Sequence, residues 1–223
     1  MQAEDEMRSR DKPVEAQHDV PGGIRAILCD VGGVLIYRAP TPELQRWEES
    51  LGLQPIELLL SVWFCEAAQQ AMQGLASVED VWYEIQQIYA LTDMQKESFR
   101  QDFAAGDRVD TEFIQFLHNV RGTRKIALLS NAWPGARHLF GSEFGLETLT
   151  NTMILSYEEG LAKPDQRIYD LAATRLTLPH ASIVFIDDFA PNVAAARACG
   201  MRGVHFQTRE QAIAELQTLL FVE

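Results

Sequence analysis

The chain has 223 residues, 47% of them hydrophobic and 23% charged, with a formal net charge of -13. That is a globular composition with enough apolar material for a sizeable core, and it excludes broad nucleic-acid binding through a basic surface. Cys29, Cys65 and Cys199 have no C-x-x-C spacing, which argues for a reducing compartment and against a disulfide frame or a zinc site. The opening M-Q-A-E-D-E-M-R-S-R-D carries acids and no apolar h-region, and no apolar stretch reaches spanning length. The expectation is a cytoplasmic protein without a membrane partner.

Residues 1–22 are polar, hold Pro13 and Pro21, and read as a flexible tail. Ile24–Cys29 is an apolar run expected as a buried parallel strand that delivers Asp30 to its carboxyl end. Thr41 with Pro42 behind it predicts a helix running to Ser50. Pro55 starts another, with Ile56, Leu59, Leu60, Trp63, Phe64 and Ala67 on one side. Ser77-x-x-Asp80 resembles a capping box, followed by Val78, Val81, Trp82, Ile85, Ile88 and Tyr89 at helical spacing. Thr92 and Asp110 cap two more helices. Strand character returns at Lys125–Leu129, Met153–Leu155, Ser182–Ile186 and Gly203–Phe206. Helical patterns fill Gln166–Leu176, Asn192–Cys199 and Glu210–Leu220. Alternating strands and helices argue for an α/β fold, a Rossmann-like parallel sheet with helices on both faces. The all-helical stretch breaks that alternation and reads as an inserted helical cap. The expected division is a core of residues 23–37 and 109–223 with a cap over 38–108.

Polar groups stand where apolar strands stop: Asp30, then Ser130-Asn131, then Asp187-Asp188, with Lys163-Pro164 after a short strand and loop. Adjacent strands of a doubly wound sheet end on one edge, so these groups can converge despite their separation. Asp30, Asp187 and Asp188 offer hard oxygen ligands suited to Mg²⁺. Lys163 can neutralise the nucleophile or a transferring phosphoryl group. Ser130, and N–H groups exposed by the Gly32-Gly33 turn, can donate to phosphoryl oxygens. Trp133 follows the Ser-Asn-Ala turn and either walls the site or packs the cap interface. The position two after Asp30 holds Gly32, so no second carboxylic acid stands beside the first.

At these residues the chain resembles the haloacid dehalogenase superfamily of hydrolases. The matches are C-D-V-G-G-V-L at 29–35, L-L-S-N-A-W at 128–133, G-L-A-K-P-D-Q-R-I-Y at 160–169 and F-I-D-D-F-A-P-N-V-A-A-A-R-A-C-G-M at 185–201. The Ser-Asn-x-Trp and Asp-Asp-x-x-x-Asn forms are similar to the branch holding sugar-phosphate phosphatases and the phosphatase domain of soluble epoxide hydrolase. The resemblance covers about residues 24–217. It implies Asp30 as a nucleophile forming an aspartyl-phosphate, and Mg²⁺ held by Asp30, the Gly32 carbonyl and Asp188, with Asp187 acting through water. It further implies phosphoryl contacts from Ser130, the Asn131 backbone and Lys163, and an Asp187-Asp188 loop oriented by Asn192. A small phosphorylated metabolite is the implied substrate, with monomer and homodimer left open.

The usual phosphatase pattern has Asp, acting as general acid and then base, where this chain has Gly32. That function contributes about 10²–10⁴-fold, so turnover is expected to suffer unless substrate, water or a cap residue supplies the proton. A 2-haloacid dehalogenase would use Asp30 against carbon without metal and tolerates Gly32. Against it, Asp187 and Asp188 without a cation would penalise the Asp30 anion. A non-catalytic binding or regulatory domain explains the missing acid, but does not require Asp30, Lys163 and both metal acids.

Overall fold

The computed structural model describes residues 23–150 and 152–221; the expected tail at 1–22 lies outside them. The first strand, β1 (Ala26–Cys29), is buried throughout. Ile27 and Cys29 face one apolar core while Ala26 and Leu28 face another. The two-residue period of a strand puts them there, and burial on both faces is why the segment reads as an unbroken apolar run. Fully burying a side chain such as Ile27 or Leu28 contributes about 1.5–3 kcal/mol.

Two short strands that hydrophobic pattern did not announce, β2 (Ile36–Arg38) and β3 (Asp107–Val109), pair antiparallel with Arg38 opposite Asp107. At three residues each, they are too short to show an alternation. Between them lie α1 (Pro42–Leu51), α2 (Glu57–Phe64), α3 (Glu66–Ala71), α4 (Val78–Ile88) and α5 (Asp93–Ala104), the inserted helical cap. Thr41 caps α1 through the Leu44 amide. Ser77 with Asp80, and Thr92 with Gln95, form reciprocal capping boxes on α4 and α5. Val62, Val81, Trp82, Ile85, Phe99 and Phe103 form the cap's own core.

The expected apolar side of the second helix is corrected in part: Leu59, Trp63 and Ala67 pack against the cap core as expected. Leu58 and Val62 are its buried residues, whereas Ile56, Leu60 and Phe64 are 63%, 46% and 69% exposed. The helix stops at Phe64 and the chain turns at Cys65 into α3, which carries Ala67.

Beyond the cap come α6 (Thr111–Val120), β4 (Lys125–Ser130), the single turn α7 (Ala136–His138), β5 (Met153–Leu155) and α8 (Ser156–Glu159). They are followed by α9 (Gln166–Leu176), β6 (Ile183–Asp187), α10 (Ala190–Ala198), β7 (Arg202–His205) and α11 (Arg209–Phe221). The sheet order is β5-β4-β1-β6-β7, with every pairing parallel. Phe113 and Leu117 of α6 and Leu216 of α11 pack one face; Ile168 and Ala172 of α9 and Ala196 of α10 pack the other. From β1 the chain lays β4 and β5 on one side, then β6 and β7 on the other. That reversal opens a crevice at the carboxyl ends of the central strands, where such sheets bind ligands. Among the described residues, no helix is long and apolar enough to cross a membrane.

Candidate active site

Register explains how residues 157 positions apart meet. Cys29 of β1 pairs with Leu128 of β4 and Ile186 of β6, so Asp30, Ser130 and Asp187 emerge together along one edge. Asp30, Asp187 and Asp188 each offer a carboxylate oxygen, and the three lie within 4.8 Å of one another. Lys163 reaches between them from the loop after α8, with Nζ 2.8 Å from Asp30 Oδ1 and 2.7 Å from Asp187 Oδ2. Asp30 Oδ1 also accepts from the Val31 amide at 2.7 Å. No hydrogen bond falls on Asp30 Oδ2 or on the Ser130 hydroxyl among the described residues.

The adjacent acids differ sharply. Asp187 is fully buried; it accepts from Lys163 Nζ, from the Phe189 amide at 2.8 Å, and from Asn192 Nδ2 at 3.1 Å on both oxygens. Tyr169 donates its hydroxyl to the Asn192 carbonyl at 2.9 Å, fixing the start of α10. Asp188 is exposed, and its carboxylate lies against Gly33. A Cβ at Gly33 would stand 2.0 Å from Asp188 Oδ2, and Gly33 has φ +78°, a conformation that favours glycine. Gly33 is therefore the residue that lets the turn after β1 and Asp188 approach.

The expectation that both glycines expose N–H groups is corrected at Gly33. Its N–H donates to the Ile36 carbonyl at 2.8 Å, closing the turn into β2. Gly32 is different. Nothing lies within 4 Å of a Cβ built there, its φ lies outside the left-handed region, and its carbonyl accepts no hydrogen bond among the described residues.

Burial pushes the Asp30 carboxyl up to about 8, with Asp187 and Asp188 adding to the rise and Lys163 opposing it. Burial also raises Asp188, with Asp187 reinforcing the shift. Burial works against the Lys163 charge, yet the two carboxylates raise it overall. Three carboxylates against one ammonium leave two formal negative charges in a confined space. That excess and the all-oxygen donor set fit a divalent cation.

Trp133 leaves the site for the cap. Its ring packs 4.6 Å from Trp63 and edge-on to Trp82 at 6.5 Å, so it joins cap to core. Sequence reading missed three supports. Ser156, wholly buried, accepts from the Ala132 amide at 2.9 Å. His205 Nε2 lies 3.0 Å from the Asp188 carbonyl. Arg38 pairs with Asp107 at 2.7 Å across the β2–β3 pair, its guanidinium 3.6 Å from the Phe103 ring centre. None of them had a motif to mark it. Ser156 begins a four-residue helical turn, and Arg38 and His205 lie in short strands.

Similarity to known proteins follows the same residues. The chain spans 6% of the length of mouse acyl-CoA dehydrogenase family member 10, with which it shares 34% identity over 70 residues, 31% of this chain. It matches the sesquiterpene phosphatase astK of Aspergillus oryzae at 25% identity over 88% of this chain and 96% of that protein. A haloacid dehalogenase (HAD) family enzyme of Bacteroides thetaiotaomicron, solved with magnesium and inorganic phosphate, superposes with a TM-score of 0.67 at 22% identity, over 82% of this chain and 93% of that one; this likeness is one of fold. The family model for haloacid dehalogenase-like hydrolases matches residues 24–200, from the strand that carries Asp30 to the glycine that ends α10, and the chain belongs to that family.

Proposed function

We propose that the chain is a Mg²⁺-dependent phosphomonoester hydrolase acting on a small phosphorylated metabolite through an aspartyl-phosphate on Asp30. The observation that carries this reading is the cluster itself: three carboxylates within 4.8 Å, one bridging lysine, and an unengaged serine hydroxyl on the same sheet edge. Asp30, Asp188 and the Gly32 carbonyl would hold the cation, and Asp187, with both oxygens already hydrogen-bonded, would act on its hydration shell. When bound, the cation supplies charge neutralisation that keeps Asp30 ionised beside the phosphoryl oxygens.

This reading assigns the attack on phosphorus to Asp30 Oδ2, since Oδ1 already accepts from Val31 and Lys163. The bond from phosphorus to the leaving-group oxygen breaks as the new bond forms, and the electron pair departs with that oxygen. Lys163 and the Ser130 hydroxyl stabilise the charge on the transferring group. Water then attacks the acyl-phosphate and releases phosphate, restoring the Asp30 carboxylate. Gly32 offers no side chain to protonate the leaving group, so good leaving groups are favoured.

Phosphate release across sugar, acyl, nucleotide and terpenyl phosphates, with Mg²⁺ and with chelator, tests the reading. The apolar member belongs in the panel because the relative matched over nearly its whole length is named for sesquiterpenes, and because Trp63, Trp133 and Phe103 gather where cap meets core. Turnover lost on chelation and restored by Mg²⁺ is expected. Full activity after exhaustive chelation, or halide release from 2-haloacids without metal, would refute it.

A further inference from the structure

We propose that the Asn131 side chain is a positioning residue that sets Lys163 in register between Asp30 and Asp187; the catalytic consequence rests on the phosphatase reading above. Lysine is a compact charge on a flexible four-carbon stem. Bridging two carboxylates at 2.8 and 2.7 Å therefore requires a fixed Cα. Lys163 lies in neither helix nor strand, so no regular ladder holds its backbone, and its peptide groups need partners from elsewhere.

Asn131 supplies both. The Lys163 amide donates to Asn131 Oδ1 at 2.8 Å, and Asn131 Nδ2 donates to the Lys163 carbonyl at 2.9 Å. One side-chain amide thus closes a two-point clamp on one residue. The pattern also fixes which end is oxygen, since a donor must face the carbonyl and an acceptor the N–H.

Asn131 is itself held on both sides. Ser130 before it ends the central strand β4, paired with Leu155 of β5. Ala132 after it donates its amide to the buried Ser156 Oγ at 2.9 Å, and that hydroxyl donates back to the Ala132 carbonyl at 3.3 Å. The Ser-Asn pair therefore divides its work. The Ser130 hydroxyl carries no hydrogen bond among the described residues, whereas the Asn131 amide pairs with both peptide groups of Lys163. Aspartate of the same shape would keep the acceptor but set an oxygen against the Lys163 carbonyl.

Two readouts test the assignment. Amide hydrogen exchange on the full chain reports the clamp whether or not the protein turns over. Asn131→Ala should speed exchange of the Lys163 amide by about tenfold or more relative to the β4 amides. Asn131→Asp, which keeps the shape and the acceptor, should speed it less, and serves alone if the alanine variant does not fold. In turnover, Asn131→Ala should lower kcat by about 10- to 100-fold with KM within about threefold, the pattern of a displaced catalytic group. In a Lys163→Ala background the same substitution should cost less than about threefold, because its route of action is gone. Unchanged Lys163 exchange, or an equal cost in both backgrounds, would overturn the proposal. A parent without Mg²⁺-dependent phosphate release would refute the phosphatase reading instead, and the exchange measurement would still decide the clamp.

Discussion

Gly32→Asp is the substitution that probes the mechanism most directly. A phosphatase without a general acid must expel its leaving group as an anion or borrow a proton from solvent. Rate then falls steeply as leaving-group pKa rises. Aspartate at 32 would place a carboxyl two residues beyond Asp30, the proposed nucleophile, and the backbone accepts it. No atom lies within 4 Å of a Cβ there, and no positive φ is involved. General acid catalysis contributes about 10²–10⁴-fold, equivalent to about 2.7–5.4 kcal/mol at about 1.36 kcal/mol per decade. That gain applies only where proton transfer limits the rate. Alkyl phosphates should therefore accelerate by about 10²-fold or more in Gly32→Asp, whereas nitrophenyl phosphates should change by less than about threefold. The assay is kcat against leaving-group pKa for both proteins at saturating Mg²⁺, with Tm checked first. A parent slope near zero, with chemistry shown to be rate-limiting, would mean that another group already delivers the proton. A folded Gly32→Asp protein with an unchanged slope would show that the new carboxyl does not reach the leaving group.

Gly33 makes the contrasting case. Gly33→Ala puts a Cβ 2.0 Å from Asp188 Oδ2 at φ +78°; Tm should fall by several degrees, from about 1 kcal/mol or more of backbone strain, and half-saturation should need more Mg²⁺. Gly32→Ala should leave both nearly unchanged, and equal behaviour of the two variants would refute the geometry. Asp188→Asn should weaken Mg²⁺ binding, read by titration calorimetry, while leaving the fold intact. Asp30→Asn should abolish turnover, and rapid quench of the parent should trap phosphate on Asp30. The metal-free Asp30 carboxyl, raised to about 8 chiefly by burial, sets a pH dependence. A raised carboxyl stabilises the fold below its unfolded pKa of about 4, and that contribution is lost as pH rises through about 8. The Tm gap between Mg²⁺-loaded and chelated protein should therefore widen from about pH 6 to 9, because Mg²⁺ must displace that proton; a constant or narrowing gap would contradict the assignment.

Much of this was legible in the chain because strong local signals met strong tertiary ones. Helix boundaries came through where a side chain could cap them: Thr41, Ser77, Thr92 and Asp110 all accept from the amide three residues on. The central strands came through because burial on both faces permits only apolar residues. The outer side of α2 did not. Ile56, Leu60 and Phe64 share a helical stripe, and hydrophobicity alone cannot tell which apolar stripe faces the core. The β2–β3 pair was equally opaque, since it joins segments as far apart as Arg38 and Asp107, 69 residues distant, and shows no local pattern.

The site shows the same boundary at finer scale. Sequence places Asp187 and Asp188 side by side as two like acids, and nothing in their identity assigns them different work. The strand does. Asp187 is the last residue of β6 and turns its side chain into the protein, where Lys163, Asn192 and the Phe189 amide saturate it. Asp188 is the first residue past the strand and is exposed, its carboxylate against a glycine that alone could lie so close. One acid becomes a fixed counter-charge for the lysine, and the other stays accessible beside it as the proposed metal ligand. The division follows from where the strand stops: Asp187 is still held by β6, whereas Asp188 lies in the bend beyond it, with its carboxylate still within 4.8 Å of the other two.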